Sequence, residues 1–345
     1  MSLYSEIVEQ AEVAERILRE QRENVEMIAN SLKKRDISYV FLAARGTSDN
    51  AGRYTKYLWG AHNRIPVALA TPSLFSIYHQ PPVLKDALVI GISQSGKSPD
   101  IVSVLAEARQ QGCQTLTITN EPESPLGEIA DFKIDICAGS ELAVAATKTY
   151  TASMMATAML SCALSGNETH WQVLKKVPAW MRTVLTKTEA IARIAERYRF
   201  MEQCVVLGRG YNYSTAYEWS LKMKELCYVM ADPYSSADFQ HGPIALVEQG
   251  FPVMAVSVQG QVMNDSLGLI DVLVREHKVE LLTISNDDRA LEMGTSGVAL
   301  PADMPEWITP LVSILPAQLF SYYLTRAKGL NTESPRGLNK VTETI

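Results

Sequence analysis

Ala87-Leu-Val-Ile-Gly-Ile-Ser-Gln-Ser-Gly-Lys-Ser-Pro-Asp-Ile101 is the stretch from which the fold can be read. An apolar run, Ala87–Ile92, stops at a cluster of hydroxyls, an amide and a glycine. A short apolar run bounded by turn residues reads as a buried strand. Pro99 then opens a helical pattern carried by Ile101, Val104 and Leu105. Strand, polar turn and helix start together make an anion site. The first N–H groups of a helix lack intrahelical partners, and the helix dipole favours negative charge there. Ser93, Ser95 and Ser98 add hydroxyl donors and Gln94 an amide, so a phosphate-bearing ligand is the expected occupant.

Gly91–Ser98 also matches G-x-x-x-x-G-K-S, the nucleotide-binding loop pattern. That chemistry needs an acidic magnesium ligand at the end of another strand. Asp135 is the nearest candidate, and it falls inside the predicted strand 132–136 rather than after it. The pattern is therefore set aside in favour of a non-nucleotide phosphate.

At 345 residues, with 47% hydrophobic and 20% charged content, the chain is globular and long enough for two domains. A net charge of −6 argues against nucleic acid and against a basic membrane patch. Any phosphate site must then be built locally. The five cysteines, Cys113, Cys137, Cys162, Cys204 and Cys227, form no C-x-x-C pair, which predicts buried reduced thiols without disulfides or zinc. Five histidines show no metal-ligand spacing. The longest apolar helix candidate, 150–164, is too short for a membrane span, and the start of the chain lacks a signal-peptide pattern. The expectation is a cytoplasmic protein.

Outward from the opening stretch, residues 3–34 are helical, with Ile7, Ala11, Ala14 and Leu18 as an apolar stripe. Strands are predicted at 37–43, 67–71, 87–92, 115–119 and 132–136, separated by helical segments such as 48–62 and 99–111. Residues 141–196 read as helical with a break near 165–168. A second strand series follows at 204–208, 228–231, 253–257, 280–284 and 297–300. Such alternation predicts α/β architecture, a parallel sheet with helices on both faces. The two series also repeat. Val40-Phe-Leu-Ala-Ala-Arg-Gly aligns with Cys204-Val-Val-Leu-Gly-Arg-Gly, placing Arg45 and Arg209 164 residues apart, as are Ser93 and Ser257. Two anchors at one offset indicate duplication. In the second copy the hydroxyl-rich turn has become Ser257-Val-Gln-Gly-Gln-Val262, so one phosphate site per chain is expected.

Seven segments in order resemble the double sugar-isomerase (SIS) family, and in particular the isomerase half of the glutamine–fructose-6-phosphate aminotransferases. They are Arg45–Ser48, Ile92–Gly96, Val144–Lys148, Leu207–Gly210, Leu221–Glu225, His241–Pro243 and Pro335–Lys340. The departures point within the family. Those synthases begin a glutaminase domain with a cysteine, whereas Ser2 follows Met1 here. They carry an acidic residue at the place of Lys97 and a lysine at that of Gln240. In these respects, and in its ending, the chain is similar to the glutaminase-free glucosamine-6-phosphate deaminases.

Amino-sugar isomerisation needs a phosphate anchor, a base that moves a proton between C1 and C2, a ring-opening group and stabilisation of an enolamine. The anchor is expected at Ser93, Gln94, Ser95 and Ser98, with Ser48 reaching in from the first β–α turn while capping the helix after it. Lys97 either neutralises phosphate or is a solvated lysine. Glu218, Lys222 and Glu225, spaced i, i+4 and i+7, share one helical face among apolar neighbours. The resemblance implies that Glu225 shuttles the proton and that Val144 and Thr147 line the substrate. It further implies that Lys340 contacts the sugar and that His241 opens the ring from the neighbouring subunit of a homodimer. Imidazole suits that task because it titrates near neutral pH.

The reading is two tandem flavodoxin-like three-layer αβα SIS domains with parallel sheets. The expected divisions are a helical segment 1–34, a first domain 35–168, a linking helix 169–196, a second domain 197–330 and a tail 331–345 over the active site. The expected reaction is isomerising deamination of glucosamine 6-phosphate to fructose 6-phosphate and ammonia, with no metal or redox cofactor. Alternatives are a fructosamine-phosphate deglycase, glucosamine-6-phosphate synthesis from ammonia or a separate glutaminase, and a non-catalytic sugar-phosphate sensor.

Overall fold

A computed structural model describes residues 2–340. The chain divides into two compact units. The first holds residues 9–142 and 146–178 together with Asn339 and Lys340; the second holds 2–8, 143–145 and 179–338.

The sheet of the first unit has five parallel strands: β1 (Tyr39–Ala43), β2 (Val67–Leu69), β3 (Ala87–Ile92), β4 (Gln114–Thr119) and β5 (Phe132–Asp135). Their order is β2-β1-β3-β4-β5. All six residues of β3 are buried, as a central strand covered on both faces requires. Successive side chains of β1 face opposite layers. Leu42 lies against Gly52 of the helix Gly46–His62, whereas Ala43 joins Val89, Val104, Leu105 and Leu126 in a core beneath the helix Pro99–Gln110. The long apolar helix Lys148–Ser165 packs against Gly46–His62, and Trp59 Nε1 donates to Thr157 O at 3.1 Å between them. Three layers result.

The second unit repeats the plan with β6 (Gln203–Gly208), β7 (Met230–Ser235), β8 (Pro252–Val256), β9 (Glu280–Ser285) and β10 (Ser296–Ala299), all parallel. Their order, β7-β6-β8-β9-β10, is the same 2-1-3-4-5 arrangement counted within the unit. Val205, Leu207, Val253, Ala255, Leu269 and Leu273 form the core under the helix Met263–Arg275. On the other face Trp219 meets Phe320 edge-on at 5.7 Å.

Residues 3–34 are helical as expected, in three helices, Leu3–Val8, Gln10–Glu20 and Arg22–Leu32. Three local expectations change. Residues 141–147 are irregular, because the Glu141 carboxylate gathers N–H groups from Thr147 and Thr149 that a continuous helix would have turned elsewhere. The single linking helix over 169–196 is instead Glu168–Leu174, Val177–Leu185 and Thr188–Arg197. Pro178 has no N–H with which to continue the preceding helix, and the first break falls at Lys175 and Lys176, just ahead of it. The strand expected at 228–231 runs from Met230 to Ser235; Tyr228 takes φ +55° and ends the preceding helix, and Pro233 is tolerated because β7 is an edge strand. Among the described residues no helix is long and apolar enough to cross a membrane.

Candidate active site

In a sheet of this order, ligands bind at the carboxyl ends of the strands where the connections diverge, which here is between β1 and β3. The turns after these two strands are Arg45–Ser48 and Ser93–Ser98. The second is rigid. Ser93 Oγ accepts from Gly96 N at 3.1 Å, and Gln94 O accepts from Asn120 N at 3.1 Å. Gly96 O accepts from Leu126 N at 3.0 Å. Gly96 has φ +62°, and a Cβ there would run into the Ser124 hydroxyl. The turn's carbonyls therefore face protein donors. The N–H groups of Gln94, Ser95 and Ser98 make no hydrogen bond to another described residue. Ser98 occupies the N-cap of Pro99–Gln110 without a side-chain cap bond, leaving its hydroxyl available. Lys97 is exposed.

Ser48 does not cap its helix. The helix starts at Gly46, where φ +51° turns the chain early, and the N-cap position falls on Arg45. Ser48 N donates to Arg45 O at 3.0 Å. Arg45 has a further role that the sequence did not disclose. Its Nε pairs at 2.6 Å with Asp100 Oδ2, whose side chain is fully buried, so the turns after β1 and β3 are stitched by charge. Asp135 lies at the far edge, its carboxylate accepting from Cys137 N at 2.7 Å.

Thr147 is buried, and its hydroxyl has no hydrogen-bond partner among the described residues. Its N–H donates to Glu141 Oε1 at 2.9 Å. Glu141 is the second residue missed in the sequence. Its buried carboxylate also accepts from Thr149 N at 3.1 Å, Thr149 Oγ1 at 2.8 Å and Lys340 Nζ at 2.7 Å. Burial pushes this carboxyl up, but Lys340 and the two threonine N–H donors overcome it and hold it below the usual glutamate range. Val144 belongs to the second unit, half-buried beside Ala143, whose N–H donates to Glu6 at 3.2 Å.

The acidic cluster lies in the second unit. Glu218 and Lys222 are on the helix Tyr213–Lys222, and Glu225 is on the π-helical turn Met223–Cys227 that continues it. Such turns are rare and recur at functional sites. Lys222 Nζ lies 3.4 Å from Glu218 Oε1 and 2.5 Å from Glu225 Oε2. The Glu218 and Lys222 side chains are 0% and 1% exposed, whereas Glu225 is 22% exposed. A solvated salt-bridged face is therefore excluded, and Glu225 is the one side chain of the three that solvent reaches. Tyr228, just after the π turn, accepts from Arg336 N at 2.8 Å, and the Arg336 guanidinium stacks 4.1 Å from its ring centre. His241 is exposed on the turn between the helix Ser236–Phe239 and Pro243–Leu246, its N–H donating to Asp238 O at 3.0 Å. Burial pushes all five thiols up, Cys137, Cys162 and Cys227 to about 12, so none is poised as a nucleophile.

Ser48, Ser93, Gln94, Ser95, Ser98, Thr147 and Lys340 thus belong to the first unit, and Val144, Glu218, Lys222, Glu225 and His241 to the second. The repeated five-stranded parallel sheet defines a tandem α/β fold, with a buried lysine–carboxylate cluster in its second copy. Residues 35–163 and 201–327 match the SIS domain model, and the chain belongs to that family. It is 34% identical over 311 residues to the isomerizing glutamine–fructose-6-phosphate aminotransferase of Aquifex aeolicus (strain VF5), covering 89% of this chain and 52% of that protein. The chain spans about half the length of the curated relatives it matches, and it is homologous to their isomerase half. The C-terminal domain of glucosamine-fructose-6-phosphate aminotransferase from Francisella tularensis matches with a TM-score of 0.86 at 26% identity, covering 96% of this chain and 98% of that one. Glucosamine-6-phosphate deaminase from Thermotoga maritima shares the fold, with a TM-score of 0.77 at 19% identity and 100% coverage of both chains.

Proposed function

We propose that the protein is a sugar-phosphate isomerase that deaminates glucosamine 6-phosphate to fructose 6-phosphate and ammonia. The observation that carries this reading is the Glu218–Lys222–Glu225 relay, buried except at Glu225, in the same chain as a phosphate-shaped turn. Ser93, Gln94, Ser95 and Ser98 hold the phosphate, with Ser48, Thr147 and Val144 along the sugar. Phosphate binding orients carbons that lie far from it.

His241 assists ring opening. Glu225 takes the C2 proton of the open aldehyde, giving an enolamine, and returns a proton to C1. The product is a C2 iminium, which water hydrolyses to the ketose and ammonia. Lys222 keeps the Glu225 carboxylate oriented, and the Lys340 ammonium stabilises the oxygen charge that develops at the open chain.

Ammonia release over a panel of hexosamine and fructosamine phosphates tests the reaction. Turnover of glucosamine 6-phosphate is expected to be fastest. Preference for a substituted fructosamine phosphate would make the protein a deglycase, and binding of every sugar without turnover would make it a sensor.

We further propose a homodimer in which the exposed His241 completes the partner's site. An isologous pair then holds two sites, each built in trans. Mixing inactive Ser95→Ala and His241→Ala chains should restore up to half the wild-type rate per heterodimer. Demonstrated subunit exchange without recovery would return His241 to its own chain.

A further inference from the structure

We propose that Glu141 is a positioning residue that docks the C-terminal tail and sets the place of Lys340. The proposal rests on the reading above that Lys340 touches the sugar. The Glu141 side chain is completely buried, and both of its oxygens are used. Oε1 accepts the N–H groups of Thr147 and Thr149 at the start of the helix Lys148–Ser165. It thereby replaces the side-chain cap that Thr147 itself does not make. Oε2 accepts from the Thr149 hydroxyl and from Lys340 Nζ, at 2.8 and 2.7 Å.

The two oxygens therefore divide the work. One organises the turn that carries Thr147, and the other binds the tail. If the tail lifted away, a fully buried anion would lose the Lys340 ammonium, which the fold resists. Lys340 keeps 24% of its side chain exposed, enough to meet a ligand while it is held. Order in the tail and order in the Thr147 turn are in this way one event. Glu141 touches no substrate atom in this scheme; it acts through Lys340.

Hydrogen exchange of residues 331–340 tests the latch without any substrate. Glu141→Gln keeps the shape and an acceptor for the helix but removes the charge. Exchange in the tail is expected to rise roughly tenfold or more, as for loss of a charged hydrogen bond. Lys340→Gln, which leaves the helix donors of Glu141 untouched, should loosen the tail equally and, by leaving a buried carboxylate without its ammonium, lower the thermal midpoint. The Glu141→Gln/Lys340→Gln double variant should be no looser than either single, since both act through one contact. In turnover, both singles should lower kcat while the KM set by the phosphate turn stays near wild type. Unchanged tail exchange in Glu141→Gln, or additive effects in the double variant, would overturn the proposal. A loosened tail in a protein that turns over no amino-sugar phosphate would keep the latch and refute only the proposed reaction.

Discussion

The turns after β3 and β8 are related by duplication and finished in opposite ways. After β3, the N–H groups of Gln94, Ser95 and Ser98 are kept off the protein and surrounded by hydroxyls. After β8, the N–H groups at the positions of Ser95 and Lys97 are occupied from within. Gln259 N donates to Asn286 Oδ1 at 2.8 Å and Gln261 N to Glu306 Oε2 at 2.7 Å, while the Ser257 hydroxyl turns to Met263 Sδ. Gly260, at φ +152°, is required there because a Cβ would fall on the Glu306 carboxylate. The cavity beside this turn, lined by Gly208, Ser257 and Ser266, holds only about 10 Å³. The helices after the first strand of each copy differ in the reverse sense. At the 164-residue offset, Glu218, Lys222 and Glu225 correspond to Tyr54, Leu58 and Ala61. One copy kept the anion turn and packs its helix with apolar side chains; the other filled the turn with its own carboxylate and placed charge on its helix. An anion stabilises a helix N-terminus whether or not that anion is a ligand.

The sharpest way to break this division is at the charged helix. Glu225→Gln removes the carboxylate and keeps its shape. Turnover should fall by about 10²–10⁴ with sugar-phosphate binding retained. Wild-type exchange of the C2 proton with solvent in this variant would take the chemistry away from the second copy. Next in size is a paired test of the two turns. Ser95→Ala should weaken binding of the sugar phosphate by roughly 10- to 100-fold, from the loss of a hydrogen bond to a charged group. Ser257→Ala should leave binding unchanged. Titration calorimetry that finds equal losses would mean that both turns see ligand. The smallest effect is expected at Glu306→Gln, which keeps an acceptor and loses the charge. Unfolding free energy should drop by about 0.3–1 kcal/mol with no change in ligand affinity. An unaltered melting temperature would mean that the carboxylate is no stand-in for an anion.

The parts of this molecule legible in its sequence are those in which neighbours in sequence are neighbours in space. Ala87–Ile92 is a strand with the boundaries expected, because six consecutive residues that enter the core end at turn residues. The repeat was legible because Arg45/Arg209 and Ser93/Ser257 preserve one spacing. Placement of Glu218 and Lys222 on one face followed from helical period, but the π turn that carries Glu225 did not. A shift in backbone hydrogen bonding leaves no mark in apolar periodicity. Ser48 as a cap failed for a similar reason, since a positive φ at Gly46 moved the helix start. Arg45–Asp100 and Glu141–Lys340 join residues 55 and 199 positions apart. No local pattern carries such pairings, and Glu141 reads in sequence as one more acidic residue near a helix start.

The Glu141–Lys340 contact also sets an order of events during synthesis. The first unit is interrupted by residues 179–338, almost all of the second, before Asn339 and Lys340 return to it. A growing chain can assemble β1 to β5 and the phosphate turn while Glu141 still has no lysine to meet. At ~5–20 residues per second, translation of the intervening 199 positions takes on the order of 10–40 s. Throughout that interval Glu141 lacks the lysine it pairs with in the finished chain. The latch closes only after the second sheet has been made, so a ribosome stalled inside residues 179–338 displays Glu141 without the lysine that is to hold it.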